Sequence, residues 1–324
     1  MSGSPTPVPT VAAVDRVDEA APGVPAPSSV AHPASDWLLL AAPGIIWGAS
    51  FLFIAEGLRA VGPNGVTFAR ILVGFLTLGV VPAARAAVPR EAWKGIAWLG
   101  VLWLAFPLSM FPLAEQHVSS ALTGMLNGAT ALFTALVASL LARRAPSRGV
   151  AIGLAVGMGG AVLVALPSVG EGGSSGQGVL LILLALMSYG VALNLARTLQ
   201  MRHGALPVIW RAQAIALVLT APLGLRELLA GRFTAGPLFS LLALGALGTG
   251  IAYVLMAVAA GRLGSTRASA TTFLIPPVAL LLGVVVRHER VAWLSVVGGV
   301  VCVAGAWIIR RAQADPRPPG ARRP

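Results

Sequence analysis

Eight side chains stand inside or at the edge of long apolar runs and have the chemistry to hold or pass a polar solute: Trp47, Glu56, Arg70, Asn127, Asn194, Arg211, Gln213 and Tyr253. An ionised side chain at mid-bilayer costs about 2.5–3.5 kcal/mol on insertion scales, so such groups turn to the bundle interior, where they pair or line a path. Glu56 and Arg70 flank the turn "GPNG" around Pro63. Two antiparallel helices leaving one turn place both residues at similar depth. The expectation is an ion pair beneath one surface, or the mouth of a pathway, with snorkelling of Glu56 to the interface as the plainer alternative. In "ARTLQMRHGALPVIWRAQ", Arg197 and Arg211 flank Gly204 in the same way, but two cations form no pair. Arg197 suits lipid phosphates. Arg211, beside Trp210, suits an anionic group or an interface. The amides of Asn127, Asn194 and Gln213 serve either a solute or a neighbouring helix, the latter worth about 0.6 kcal/mol on average. Trp47 and Tyr253 either shape a cavity or pack. The stretch Glu115-Gln116-His117 ends the third apolar run, and its loop position implies solvent exposure; His117 could titrate near neutral pH, and Glu115 could carry a proton if buried.

Other chemistries lack their residues. There is no Walker-type glycine loop for ATP, no pair of acids for a divalent metal, and no Ser/His/Asp set on one face. The single cysteine, Cys302, has no partner for a disulfide. No catalytic residue, metal ligand or cofactor is expected.

The elements that must position these side chains follow from composition. The 324 residues are 56% hydrophobic and 10% charged, with a mean hydropathy of +0.84. Soluble domains carry about 25% charged residues, so this chain cannot cover itself with polar surface and reads as an integral membrane protein. The net charge of +12 does not imply nucleic acid, because the basic residues fall in short clusters between apolar runs. Ten runs are long enough to cross: Trp37–Leu58, Asn64–Ala86, Ala92–Pro112, Val118–Ala142, Gly149–Pro167, Gly178–Leu199, Leu206–Leu225, Gly236–Ala259, Ser265–Val286 and Val291–Arg310. They are apolar almost all round, unlike barrel strands. Residues 1–35 are rich in Pro, Ala and Ser and read as a disordered tail, and 311–324 as a basic tail. Arg85, Arg90, Lys94, Arg143, Arg144, Arg148, Arg197, Arg202, Arg262 and Arg267 gather on one side with the basic C-terminal tail. The positive-inside rule makes that side, and both termini, cytoplasmic.

The two halves resemble each other. "GLAVGMGGAVLV" from Gly153 aligns with "GGVVCVAGAWII" from Gly298, pairing Gly160 with Gly305, and "WGASF" at Trp47 matches "YGVAL" at Tyr189. Five spans per half is odd, so the second half lies upside down, as in many secondary transporters. "GLAVG" and "GALGTG" are small-residue faces for close helix contact. With "IIWGASFLFI", "PNGVTFARILVGFL" and "FLIPPVALLLGVVVRHERV" added, the chain resembles the EamA family of the drug/metabolite transporter superfamily over 37–168 and 177–310. The resemblance implies a kinked ninth helix at Pro276 or Pro277 with Glu289 just after it. The first half departs from it, with Thr130-Ala131-Leu132 where the proline would stand and Arg144 in place of the acid.

The expectation is therefore an all-α polytopic membrane protein of ten transmembrane helices in two inverted five-helix repeats. The resemblance implies a secondary transporter of the bacterial cytoplasmic membrane, working by alternating access on a small metabolite, often an amino acid or derivative and usually exported. A non-transporting scaffold or sensor, or an enzyme acting on a lipid substrate, is the alternative. The partners are that solute, the lipid bilayer and, as one candidate driving ion, the proton; nucleic acid is not among them. Monomer and homodimer are both open.

Overall fold

Within hydrocarbon only helices and closed barrels satisfy every backbone group, and these Leu-, Ala- and Val-rich runs form helices. The computed structural model describes residues 33–170 and 175–314, so both tail expectations lie largely or wholly outside the described residues. Ten helical stretches follow one another: α1 Pro33–Gly57, α2 Pro63–Gly79, α3 Arg90–Ala114, α4 Ser120–Leu141, α5 Arg148–Gly170, α6 Ser175–His203, α7 Ala205–Leu229, α8 Ala235–Leu263, α9 Ser269–Arg287 and α10 Trp293–Ala314. Among the described residues there is no strand, and nine helices, all but α2, are long and apolar enough to cross a membrane. Large apolar side chains face outward along the helices, among them Trp37, Leu76, Leu229 and Trp293, as a chain solvated by lipid requires.

The exception, α2, is 17 residues long. Pro63 opens it with a preset φ and no N–H to leave unsatisfied. The carboxylate of Glu227 on α7 caps it, accepting from Gly65 N (2.8 Å) and Asn64 Nδ2 (2.6 Å). The sequence expectation carried this span to Ala86, but the helix stops at Gly79. Val81, ahead of Pro82, is extended, as a residue before proline prefers, and a 3-10 turn Pro82–Arg85 follows.

Four helices are not regular. In α3 the run Gly100–Ala105 is π-helical, and in α8 so is Leu244–Ile251. The fourth span breaks at Gly128-Ala129, between Ser120–Asn127 and Thr130–Leu141. The ninth passes through a 3-10 stretch, Ser269–Leu274, before becoming α-helical at Ile275. Pro276 and Pro277 stand in that first α-helical turn, and the Pro276 ring lies against Gly128, where α4 breaks. Hydropathy sees none of these irregularities.

Between apolar helices in lipid, close packing replaces the hydrophobic effect. Between α5 and α10 backbone lies against backbone: a methyl on Gly160 would meet Cys302 N at 2.4 Å and one on Gly305 would meet Gly157 Cα at 2.4 Å. The two glycine faces read from the sequence both turn inward: Gly153 packs on Ile309, and Gly245 and Gly250 of α8 pack on Val73 and Thr77 of α2. Gly160→Ala should therefore lose about 1–3 kcal/mol, the usual penalty of overpacking. Gly159→Ala, where an added methyl meets nothing within 4 Å, should stay within about 0.5 kcal/mol. Unfolding of the two variants in detergent compares them directly.

Candidate functional site

The π-helical turns give the site its backbone. An i→i+5 ladder leaves carbonyls to be met from the side, and here neighbouring helices meet them. Trp47 Nε1 of α1 donates to Gly248 O (3.0 Å), Gln213 Nε2 of α7 to Thr249 O (2.7 Å), and Ser188 Oγ of α6 to Leu102 O (2.6 Å). Three helices thereby converge on the irregular turns of α3 and α8.

Arg70 enters this cluster from α2, only 8% exposed. Its Nε donates to Thr249 Oγ1 (2.8 Å), and that hydroxyl sits against the Leu244 carbonyl. Among the described residues no acid pairs with Arg70, and its two terminal nitrogens make no hydrogen bond. One of them, Nη2, lies beside Gly248, as does Ser50 Oγ. Gln213 is fully buried, and its Oε1 accepts no hydrogen bond among the described residues. Aromatic rings close the cluster: Tyr253 meets Trp47 and Trp103 edge-on at 5.9 and 5.5 Å, and Phe111 packs on Phe51 and Tyr189. The arrangement places a buried cation with free donors and an amide oxygen with a free lone pair among aromatic walls. Such a constellation suits an anionic group carried on a small, partly apolar molecule.

The expected pairing of Glu56 with Arg70 does not form. Glu56 accepts from Arg59 (2.9 Å), three residues on, and from Arg287 (2.5 Å) on α9, while Arg70 points across to α8. Spacing from a turn does not fix which partner a side chain meets, and here Glu56 and Arg70 meet different ones. Of the eight candidates, the structure brings together Trp47, Arg70, Gln213 and Tyr253. Asn127 sits at the break of α4, near Thr130 Oγ1. Asn194 ties α6 to α4 through Thr134 O (3.0 Å) and lines a separate cleft of about 460 Å³ with Arg197 and Arg202. Arg211 donates to Pro207 O and lies over the rings of Trp93 and Trp210.

Thr249, Ser50, Ser188 and Trp103 were missed. Thr249 lay hidden in "GALGTG", read as a packing face; a hydroxyl among glycines was the available signal. A second charged cluster gathers at the end of the bundle where α9 gives way to α10. Glu289 accepts from Ser120 N (3.1 Å), Ser120 Oγ (2.7 Å), Ala121 N (2.9 Å) and Arg287 Nε (3.1 Å), so it caps α4 while Arg287 reaches on to Glu56. Glu115 contradicts its expected exposure. In the loop after α3, both of its carboxylate oxygens are sealed and accept no hydrogen bond among the described residues.

The comparisons agree with this architecture. The EamA-like transporter family model matches residues 36–166 and 176–311. The chain belongs to the EamA-like transporter family, among the drug/metabolite transporters, and is a multi-pass membrane protein. A search of curated proteins finds no match. A solved structure described as "Crystal structure of protein" is 18% identical and superimposes with a TM-score of 0.60, covering 87% of this chain and 99% of that one; this likeness is one of fold.

Proposed function

We propose that the protein is a secondary transporter of the bacterial cytoplasmic membrane that moves a small carboxylate-bearing metabolite, such as an amino acid or derivative, by alternating access, in the direction of export. The observation that carries this reading is Arg70: a buried guanidinium with no acid partner among the described residues, its terminal N–H groups without a hydrogen bond and one of them beside Gly248, whose carbonyl holds Trp47. Leaving a cation so buried is costly unless something charged visits it.

The reading takes α2 as a tenth, short span and groups the helices as two inverted sets of five. Paired irregularities support the grouping. The third and eighth helices each carry a π-helical run, the fourth and ninth each lose regular α-helix, and the fifth and tenth meet glycine to glycine. The basic clusters put both termini in the cytoplasm, which makes the Glu289 end the outer one. Asn127, Asn194, Arg211 and Glu56 then belong to helix junctions and rims of the pathway, and Pro276 and Pro277 to the kink of α9.

The test is flux of a mixed panel of amino acids, their derivatives and neutral analogues through proteoliposomes, in both directions, with and without a pH gradient. Movement of a carboxylate-bearing solute, and not of its ester or amide, is the expected result. Transport of the neutral analogue alone would overturn the role given to Arg70, and no movement under any gradient would favour a scaffold or sensor.

A further inference from the structure

Glu115 is a buried acid with no hydrogen bond to the solute site, though the charge of Arg70 acts on it. Its loop joins α3 to α4 and lies outside both spans. The residue as a whole is partly exposed, yet both carboxylate oxygens are sealed and accept nothing among the described residues. An ionised carboxylate in that state gives up its hydration without compensation, which neutralisation by a proton avoids. The charged groups that act on it belong to other elements of the fold. Glu289 and Arg287 face it from the end of α9 and the turn beyond, and Arg70 acts from α2. Glu56 of α1 reaches the same cluster through Arg287, and His117 follows in the same loop. Burial, and then the like charge of Glu289, push the Glu115 carboxyl well above the usual carboxylate range, against the smaller pull of Arg287 and Arg70.

The position gives a proton there a consequence. Glu289 is the cap that holds the start of α4, at Ser120 and Ala121, only five and six residues beyond Glu115. Gln116, next in the chain, is exposed, so solution lies one residue away. Phe111, one helical turn before Glu115, packs on Phe51 and Tyr189 at the edge of the solute cluster.

We propose that Glu115 is a proton-binding site, and that its occupancy governs the grip of Glu289 on the start of α4. The step is a single protonation: a proton from solution adds to one carboxylate oxygen and removes one negative charge beside Glu289. When Glu115 ionises, the new charge repels Glu289 and loosens the cap. The inference does not depend on which solute is carried, or on transport at all.

The test uses the purified full chain in lipid and the proton as the only ligand. Infrared difference spectra report the carbonyl stretch of a protonated carboxyl, and hydrogen exchange reports the amides of Ser120 and Ala121. In the wild type the carboxyl band should persist above the ordinary glutamate range, near about 4.3. Exchange protection at Ser120 and Ala121, corrected for intrinsic rate, should fall about tenfold as the band disappears, the scale of one added like charge in a partly screened site. Glu115→Gln, close in shape to the protonated form, should lose the band and keep constant protection. His117→Gln should leave both responses as in the wild type. A Glu115 band that vanishes in the ordinary range, or protection with the same pH profile in Glu115→Gln, overturns the proposal. If Glu115→Gln does not fold, the position of the wild-type band, assigned by glutamate isotope labelling, decides alone.

Discussion

Proteoliposomes carrying Arg70→Met should move the wild-type solute about 30- to 150-fold more slowly. The guanidinium offers its two unengaged terminal nitrogens to an anionic group away from bulk water. A hydrogen bond to a charged group is worth about 1.5–3 kcal/mol, and loss of a little over 2 kcal/mol reaches the lower end of that range. Arg70→Lys keeps the charge and loses the planar fork, so it should recover only part of the flux. Thr249→Val removes the hydroxyl that receives Nε while leaving the cation, and should cost about 0.5–1.5 kcal/mol, less than tenfold to slightly more. Initial rates at matched protein incorporation distinguish these variants. Equal flux in wild type and Arg70→Met would make Arg70 a strut between α2 and α8.

The second large effect belongs to Glu289. Its side chain is only 12% exposed and receives four hydrogen bonds, two of them from backbone N–H groups at the start of α4. Glu289→Ala leaves those donors unmet and strips Arg287 of one of its two acids. Removing one partner of a largely buried charged set costs about 3–5 kcal/mol. We expect a loss of about 3 kcal/mol in denaturant unfolding, with early loss of exchange protection at Ser120 and Ala121. Glu289→Gln retains an acceptor oxygen and should recover part of it. A Glu289→Ala protein as stable as the wild type would show that water replaces the carboxylate as the cap.

Much of this architecture was legible in the residues, because a bilayer demands long apolar stretches and glycine at close crossings. Hydropathy located the nine described helices long enough to cross a membrane, and "GLAVG" and "GALGTG" marked faces that do meet other helices closely. The site was half legible. Arg70 and Gln213 stood out as polar residues in apolar runs, but their common partner Thr249 did not, since a lone threonine among glycines has no period. The Glu56–Arg70 pair, one of the arrangements the turn allowed, does not form: distance from a turn says nothing of the direction of a side chain, and Glu56 meets Arg59 and Arg287 while Arg70 meets Thr249. Glu115 was taken as exposed because it lies in a loop. Its carboxylate oxygens are sealed all the same, and the like charge that acts on them, Glu289, stands far away in sequence, where spacing along the chain carries no trace of it. The irregular turns at Gly100–Ala105 and Leu244–Ile251 were invisible for a related reason, as both runs are as apolar as any regular helix.

Those two turns behave like dislocations in an otherwise regular lattice. Each stores a surplus residue that the α-helical ladder before and after it does not need. A dislocation can glide: if the surplus passes along by one position, the residue it leaves behind turns by about 100° relative to the far segment, with almost no net change in the number of backbone bonds. In α8 such a glide would swing Gly248 and Thr249, and with them the carbonyls that hold Trp47 and Gln213. The defect therefore lets a packed helix re-aim part of its surface without sliding along its axis and without melting.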